Sequence, residues 1–170
     1  MVEKVKYNVI RQLGKVEIRK YKSLICAKVD SYGNEGFNIL FNFISGSNKK
    51  KTKLTMTAPV ISEKIKMTAP VLSDSNSLSF VVPEKYTLET IPQPLDERIR
   101  IVEIPDRILA VLRFSGRWSE SIFNLRSKEL LEELAKSEIK SKGSVFAMLY
   151  NAPFTPWFLR RNEVAIEVSL

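Results

Sequence analysis

The chain has 170 residues, of which 44% are hydrophobic and 27% are charged, and this is the composition of an ordinary folded protein of one domain. The longest purely aliphatic run, residues 108–112, is far shorter than the ~20 apolar residues that cross a bilayer. The N-terminus mixes charges with single apolar residues, so we expect a cytoplasmic protein without a membrane partner.

Two rare residue types narrow the possible chemistry. The sequence contains no histidine, which excludes Ser-His-Asp and Cys-His nucleophiles, imidazole zinc sites and the usual axial ligand of haem iron. The single cysteine, Cys26, excludes an intramolecular disulfide and CxxC redox chemistry. Because Cys26 lies in an apolar segment, we predict a buried core residue, with a thiolate ligand or redox-sensitive thiol as the alternative.

Charge is the second constraint on partners. The sequence has 27 Lys and Arg residues against 19 Asp and Glu residues, and the net charge of +8 attracts phosphates, nucleic acids and carboxylates. The lysines of residues 49–53 are expected to be a solvated loop, with phosphate or anionic-lipid contacts as alternatives. Since no aromatic residues are interleaved with these lysines, nucleic acid is the least favoured partner.

In chain order, the first half of the sequence predicts strands, a helix and further strands. Asn34 is predicted to cap the helix, whose apolar residues follow i, i+3, i+4, i+7, and Gly46 is placed to end it. The predicted strands are 5–11, 16–22, 24–29, 54–61, 64–72 and 77–82.

The second half repeats this order. Residues 83–94 predict an irregular connection because their prolines remove donors that a strand interior needs. A second helix is predicted from Ser119. The predicted strands are 99–104, 109–114, 144–150 and 164–168, and a proline-rich and aromatic loop, residues 151–158, precedes the last one. The repeated order indicates a pseudo-twofold α+β domain built from a duplicated unit.

A short repeat stands out within the first half. Met-Thr-Ala-Pro-Val occurs at residues 56–60 and again at residues 67–71. Because proline cannot donate to a ladder, each copy is predicted at a sheet edge, bulge or strand end. A structural hairpin is the first interpretation, and a groove in which Met56 and Met67 contact an apolar ligand is the second.

The loop before the last strand is unusually aromatic. It carries Phe154, Trp157 and Phe158 between stiffening prolines and is followed by Arg160 and Arg161. In one interpretation the rings cover the core and the arginines pair with surface acids. In the other, the rings stack on a flat molecule and the arginines donate to its carboxylates.

These segments resemble the SOUL haem-binding protein family. The resemblance is carried by the Met-Thr-Ala-Pro-Val element, by Ile-Ser-Gly-Ser-Asn at residues 44–48 and by Pro-Phe-Thr-Pro-x-Phe-x-Arg-Arg-Asn-Glu-Val at residues 153–164. Residues 16–21 and 109–116 are also in register with the family, so the resemblance covers nearly the whole chain.

The resemblance implies a fold and a site. The fold is a twisted antiparallel β-barrel or pair of sheets flanked by two helices, a single domain over residues 1–170 with pseudo-repeats of about 1–86 and 95–170. The site is an apolar cleft for haem or another tetrapyrrole beside the first helix and the aromatic loop. The residues carried over to it are Phe37, Leu40, Phe41, Ile44, Met56, Met67, Phe154, Trp157, Phe158, Arg160 and Arg161.

We therefore expect a monomeric, non-enzymatic protein that binds haem or a similar flat hydrophobic anion without a histidine ligand. Iron would then be ligated by Met, Cys, Tyr or Lys, or by no protein group. The helix residues have a core role as their alternative. The alternative functions are a small-molecule hydrolase or isomerase using Glu163 or Glu167, and a regulatory interaction protein.

Overall fold

A computed structural model describes residues 3–31, 33–64, 76–151 and 154–170. The strands in these ranges are β1 Glu3–Lys4, β2 Tyr7–Leu13, β3 Val16–Tyr21, β4 Leu24–Val29, β5 Thr57–Lys64, β6 Asn76–Val81, β7 Ile99–Ile104, β8 Arg107–Phe114, β9 Lys140–Leu149 and β10 Asn162–Ser169. The helices are α1 Gly33–Ile44, α2 Glu120–Lys136 and a 3₁₀ turn at Trp157–Leu159. Within the described ranges, neither α-helix combines the length and apolar character that crossing a bilayer requires.

The strands are antiparallel except for the parallel pair β1 and β5, and with the two helices this confirms the predicted α+β class. The chain forms two compact units. The first contains the described residues up to Val5 and those of Leu24–Ile104, and the second contains Lys6–Ser23 and Pro105–Leu170. Residues 6–23 therefore belong with the second half of the chain, although they lie near its start.

In the first unit the strand order is β5-β6-β4-β7. Helix α1 buries its apolar stripe in a core shared with β4 and β6. It begins at Gly33, so Asn34 lies in its first turn and not at the predicted cap. Gly46 follows its end with φ of +120°, a conformation that favours glycine, as predicted.

In the second unit the strand order is β2-β3-β8-β10-β9. Helix α2 packs on this sheet through Leu130 and Leu134, which are buried against alternate residues of β3, β8 and β10. The Ser119 side chain accepts a hydrogen bond of 3.2 Å from the Ile122 amide, which confirms the predicted start of this helix.

The two units share a topology. In each, a strand is followed by a helix and two more strands: β4-α1-β5-β6 in the first unit and β8-α2-β9-β10 in the second. The sheet orders correspond, because β7-β4-β6-β5 matches β3-β8-β10-β9 strand for strand. This correspondence supports a duplicated unit, while the repeat boundaries of about 1–86 and 95–170 stay a prediction.

Several predicted boundaries differ from the structure. Strand β5 starts at Thr57 and not at residue 54, and the register of its pairing with β6 shifts between Thr57 and Val60, around Pro59, as the proline predicted. Strand β9 starts at Lys140 and not at residue 144, because its first half is polar and lacks apolar alternation. The second copy of the repeat, with Met67, lies outside the described residues.

Candidate functional site

The loop of residues 154–161, called the aromatic loop below, presents its rings to solvent. The exposed fractions are 89% for Phe154, 50% for Trp157 and 59% for Phe158. The rings of Trp157 and Phe158 meet edge to face, with centroids 5.5 Å apart and planes at 88°. This loop therefore exposes its aromatic surface and does not bury it in a core.

Backbone hydrogen bonds hold the aromatic loop in place. The Gly116 amide donates to the Trp157 carbonyl at 3.0 Å, and the Asn162 side chain donates to the Gly116 carbonyl at 3.0 Å. Gly116 has φ of +115°, which suits glycine and lets the connection from β8 to α2 lie against the loop. Within the loop, the Leu159 amide closes a turn on the Pro156 carbonyl at 2.9 Å.

Arginines flank these rings. The Arg117 guanidinium lies 5.8 Å from the centroid of the Trp157 ring, and Arg117 is exposed. The half-buried Arg160 donates from Nε to the Thr155 carbonyl at 2.8 Å. The surface therefore combines apolar rings with cationic side chains, the combination that a flat hydrophobic anion requires.

Arg161 lies in a buried polar cluster and not on this surface. Its Nε and Nη2 donate to Glu163 Oε1 at 3.0 and 2.8 Å, and Nη2 also donates to the Tyr7 hydroxyl at 3.1 Å. Its guanidinium covers the Tyr150 ring at 3.9 Å from the centroid. Arg161 thus pairs with an acid, as one sequence interpretation held, but that acid is buried in the sheet.

Arg19 on β3 completes the cluster. Only 2% of Arg19 and none of Glu163 is exposed, and Arg19 Nη1 donates to both oxygens of Glu163 at 3.0 Å. Arg19 Nε donates to Glu17 at 2.7 Å, and Nη1 also donates to the Tyr21 hydroxyl at 3.1 Å. Pairing of this kind is what makes the burial of charged groups tolerable.

The electrostatics of the cluster keep its arginines charged and its tyrosines neutral. Burial is the largest single influence on Arg19 and acts to lower its pKa, but the attraction of Glu163 together with the contacts to Tyr21 and Glu17 raises the pKa overall. Burial raises the pKa of Tyr21 to about 12, and burial followed by repulsion from Glu163 raises that of Tyr150. The Tyr150 hydroxyl has no hydrogen-bond partner among the described residues.

The cluster does not have the properties of an acid–base site. Both oxygens of Glu163 accept hydrogen bonds from guanidinium groups, and the carboxylate is inaccessible to solvent. A general base must reach the proton that it abstracts. The arrangement of Glu163 is therefore structural, and it does not favour the alternative in which this residue acts as a catalytic base.

Sequence reasoning did not identify Arg19, Tyr7 or Tyr21 as cluster members, whereas Tyr150 was considered beside Glu163 as a proton donor. The available signal was the alternation of Glu17, Arg19 and Tyr21, which places three polar side chains on one face of β3. The apolar residues of the same strand lie on the other face, toward α2.

In the first unit, α1 divides its predicted site residues between core and surface. Leu40 and Ile44 are buried in the core, which agrees with the alternative that the sequence left open. Phe37 stacks on Phe41, with centroids 5.9 Å apart, and Phe41 is 46% exposed. Met56 is half-buried against the same core. Phe41 is thus the helix residue among these with an exposed ring.

The fold and its surfaces define an antiparallel α+β protein of two strand–helix–strand–strand units. The family model described as SOUL heme-binding protein matches residues 2–167, and the chain belongs to this family, as the sequence motifs indicated. Heme-binding protein 2 of Homo sapiens is 28% identical over an alignment of 172 positions including gaps, and the alignment covers 89% of this chain and 81% of the relative. Heme-binding protein 2 of Mus musculus is 26% identical over an alignment of 151 positions, and the match covers 81% of this chain and 71% of the relative.

Solved structures share the fold at lower sequence similarity. The C-terminal domain of EcmrR aligns with a TM-score of 0.65 at 10% identity, covering 96% of this chain and 98% of that domain. A hydrolase from Listeria innocua aligns with a TM-score of 0.59 at 10% identity, covering 94% of each chain. At this identity the likeness shows the fold alone.

Proposed function

We propose that this protein binds haem or a related tetrapyrrole on the aromatic loop, without a histidine ligand to the iron. The observation that carries the proposal is the exposure of Trp157 and Phe158 beside Arg117, on a loop fixed by hydrogen bonds. Membership of the SOUL family and similarity to two proteins named Heme-binding protein 2 support the choice of ligand.

The side chains present fit the macrocycle of such a ligand. A porphyrin offers a flat apolar face, and covering this face stabilises the complex by about 25 cal/mol for each Å² of apolar surface removed from water. The guanidinium of Arg117 lies over the Trp157 ring, 5.8 Å from its centroid, and a guanidinium can donate to a carboxylate in a forked arrangement. We therefore assign to Arg117 the contact with propionates that the sequence interpretation gave to Arg160 and Arg161.

The iron supplies the redox and visible-absorption chemistry of bound haem, and the side chains of this protein are less suited to ligating it. The sequence contains no histidine. Cys26 is fully buried in β4, and its burial keeps it away from a surface ligand. Burial also raises the pKa of Tyr150, which disfavours a phenolate ligand. These features support a complex held by ring and carboxylate contacts in place of a bond to iron.

The exposed ring of Phe41 on α1 is a separate candidate surface in the first unit. Its stacking on Phe37 keeps one face covered and leaves the other accessible. The Phe41→Ala variant tests separately whether this ring contributes to haem binding. Leu40 and Ile44 are assigned to the core and not to ligand contact.

Titration of the purified protein with haem, followed by the Soret band, tests the proposal. We expect a saturable shift at one haem per chain, and weaker binding in Trp157→Ala and in Arg117→Ala. Leu125→Ala, which removes an exposed apolar side chain from α2 in the same unit, is the matched control and should bind normally. A shift that never saturates, falls with salt and is the same in all variants would indicate adsorption to a basic surface and overturn the proposal.

A further inference from the structure

We propose that the aromatic loop also docks on an anionic phospholipid bilayer, with its apolar side chains in the interfacial region and its flanking arginines at the headgroups. This inference does not depend on haem. It rests on the apolar side chains of the loop, on the charge around them and on the fixed geometry of the loop.

The apolar surface of the loop extends beyond the edge-to-face rings of Trp157 and Phe158. Phe154 is 89% exposed, and Leu159, an aliphatic residue on the same turn, is 64% exposed. Leu159 therefore adds aliphatic surface beside the aromatic rings. Soluble monomers rarely leave a contiguous set of large apolar side chains in water unless the set contacts a partner. An acyl-chain boundary covers aromatic and aliphatic side chains alike.

The charge of the surrounding segments favours an anionic surface. Hydrogen bonds of Gly116 join residues 113–119 to residues 154–162, and these two segments together contain four arginines and no acidic residue. Arg113 and Arg117 are exposed, whereas Arg161 is committed to Glu163. Exposed cations beside interfacial aromatic residues are attracted to anionic lipids over distances of about 10 Å at moderate salt.

The fixed geometry of the loop removes an entropic obstacle to docking. The 3₁₀ turn and the hydrogen bond from Gly116 to Trp157 hold the side chains outward before any contact is made. Docking then orders little additional chain, so less of the interaction energy is lost. Trp157 is of a type that is enriched at membrane–water interfaces, because its ring is apolar and its N–H is polar.

The lysine loop of the first unit provides a built-in control. Lys49, Lys50 and Lys51 are exposed and cationic, and the loop that carries them, residues 49–53, contains no aromatic residue. Simple attraction between a basic protein and an anionic vesicle would depend on these lysines. Docking through the aromatic loop depends instead on its apolar side chains.

Sedimentation with vesicles of phosphatidylcholine alone, or mixed with phosphatidylserine, tests the inference on the haem-free full chain. We expect binding to the mixed vesicles, and a loss of about tenfold or more in partitioning when Phe158→Ser and Leu159→Ser are combined. Arg117→Glu should weaken binding without removing apolar surface. The matched control replaces Lys49, Lys50 and Lys51 by Ser, and far-ultraviolet circular dichroism checks that each variant is folded.

A second readout reports the position of the loop directly. The sequence has two tryptophans, so Trp118→Phe leaves Trp157 as the single emitter. Its fluorescence should shift to shorter wavelength with mixed vesicles and stay unchanged with inorganic phosphate. No binding to mixed vesicles, binding that is lost only in the lysine variant, or an unshifted Trp157 would overturn the inference. Because the assay contains no haem, its failure would leave the Soret titration unaffected.

Discussion

Arg19 on β3 and Glu163 on β10 are joined by two hydrogen bonds of 3.0 Å, although they are 144 residues apart in the sequence. Their pairing registers also differ, since Arg19 lies opposite Leu109 on β8 and Glu163 lies opposite Arg113. In a flat sheet the two positions would be separated by about 13 Å along the strands and about 10 Å across them. The twist of the sheet and the length of the two side chains together bring the charged groups into contact.

Removing the charge of Glu163 should destabilise the protein strongly. Glu163→Gln removes the buried carboxylate partner of Arg19 and leaves it with the half-buried Glu17, and breaking a buried pair in this way costs about 3–5 kcal/mol of the free energy of unfolding. Urea denaturation measures the loss. Glu132→Gln on the exposed surface of α2 is the control and should change stability by less than about 1 kcal/mol. Equal, small effects of the two substitutions would show that the cluster contributes little.

Stability should fall at alkaline pH because of the buried tyrosines. The pKa of Tyr21 is about 12 in the folded protein and 10.0 as its ordinary value. Between these values the unfolded state has lost the proton that the folded state retains, so the free energy of unfolding decreases as pH rises. The decrease approaches about 1.4 kcal/mol per pH unit for one such group. Denaturation of wild type and Tyr21→Phe over this range checks it, and identical slopes would contradict the assignment.

Neighbouring residues of α1 should respond differently to truncation. Leu40→Ala creates a cavity in the core of the first unit and should cost about 2–5 kcal/mol. Phe41→Ala removes a ring that is already half exposed and should cost much less, within about 1 kcal/mol. Thermal or urea unfolding of the two variants provides the comparison. A loss at Phe41 as large as that at Leu40 would place Phe41 in the core.

Substitution of Gly116 should affect both the stability of the protein and its binding of haem. An added Cβ meets no neighbouring atom within 4 Å, but φ of +115° is unfavourable for alanine. Gly116→Ala should therefore cost about 1–3 kcal/mol and displace the hydrogen bond to Trp157. Haem titration and urea denaturation measure the two effects, with Ser115→Ala as control. A variant that is destabilised but binds haem with unchanged affinity would show that haem binding does not depend on the position of the loop.

Local patterns were sufficient to predict much of the fold. Strands β4 and β7 were predicted at their observed bounds, because β4 is a short, mainly apolar run and β7 is a short run of apolar residues interrupted by single charges. Ser119 and Gly46 marked helix ends through side-chain and backbone chemistry that is local in sequence. Strand β1 was not predicted, since it is defined by pairing with β5 and has no periodic pattern of its own.

Contacts between residues that are distant in the sequence could not be predicted, and this limited the prediction of the site. The alternation in β3 placed Arg19 on one face, but nothing local identified Glu163 as its partner. Likewise, the helical pattern grouped Leu40 with Phe41, and only the packing of α1 separates a core residue from an exposed one. For the aromatic loop the sequence left both orientations open, and the structure exposes the rings.

The most direct test of the proposed function is quenching of Trp157 fluorescence by haem in the Trp118→Phe background. If haem lies on the aromatic loop, quenching should be nearly complete and should saturate at one haem per chain, and Arg117→Ala should shift the titration to higher haem concentration. A Trp157 signal that persists after the Soret shift has saturated would mean that haem binds elsewhere, and would contradict the account.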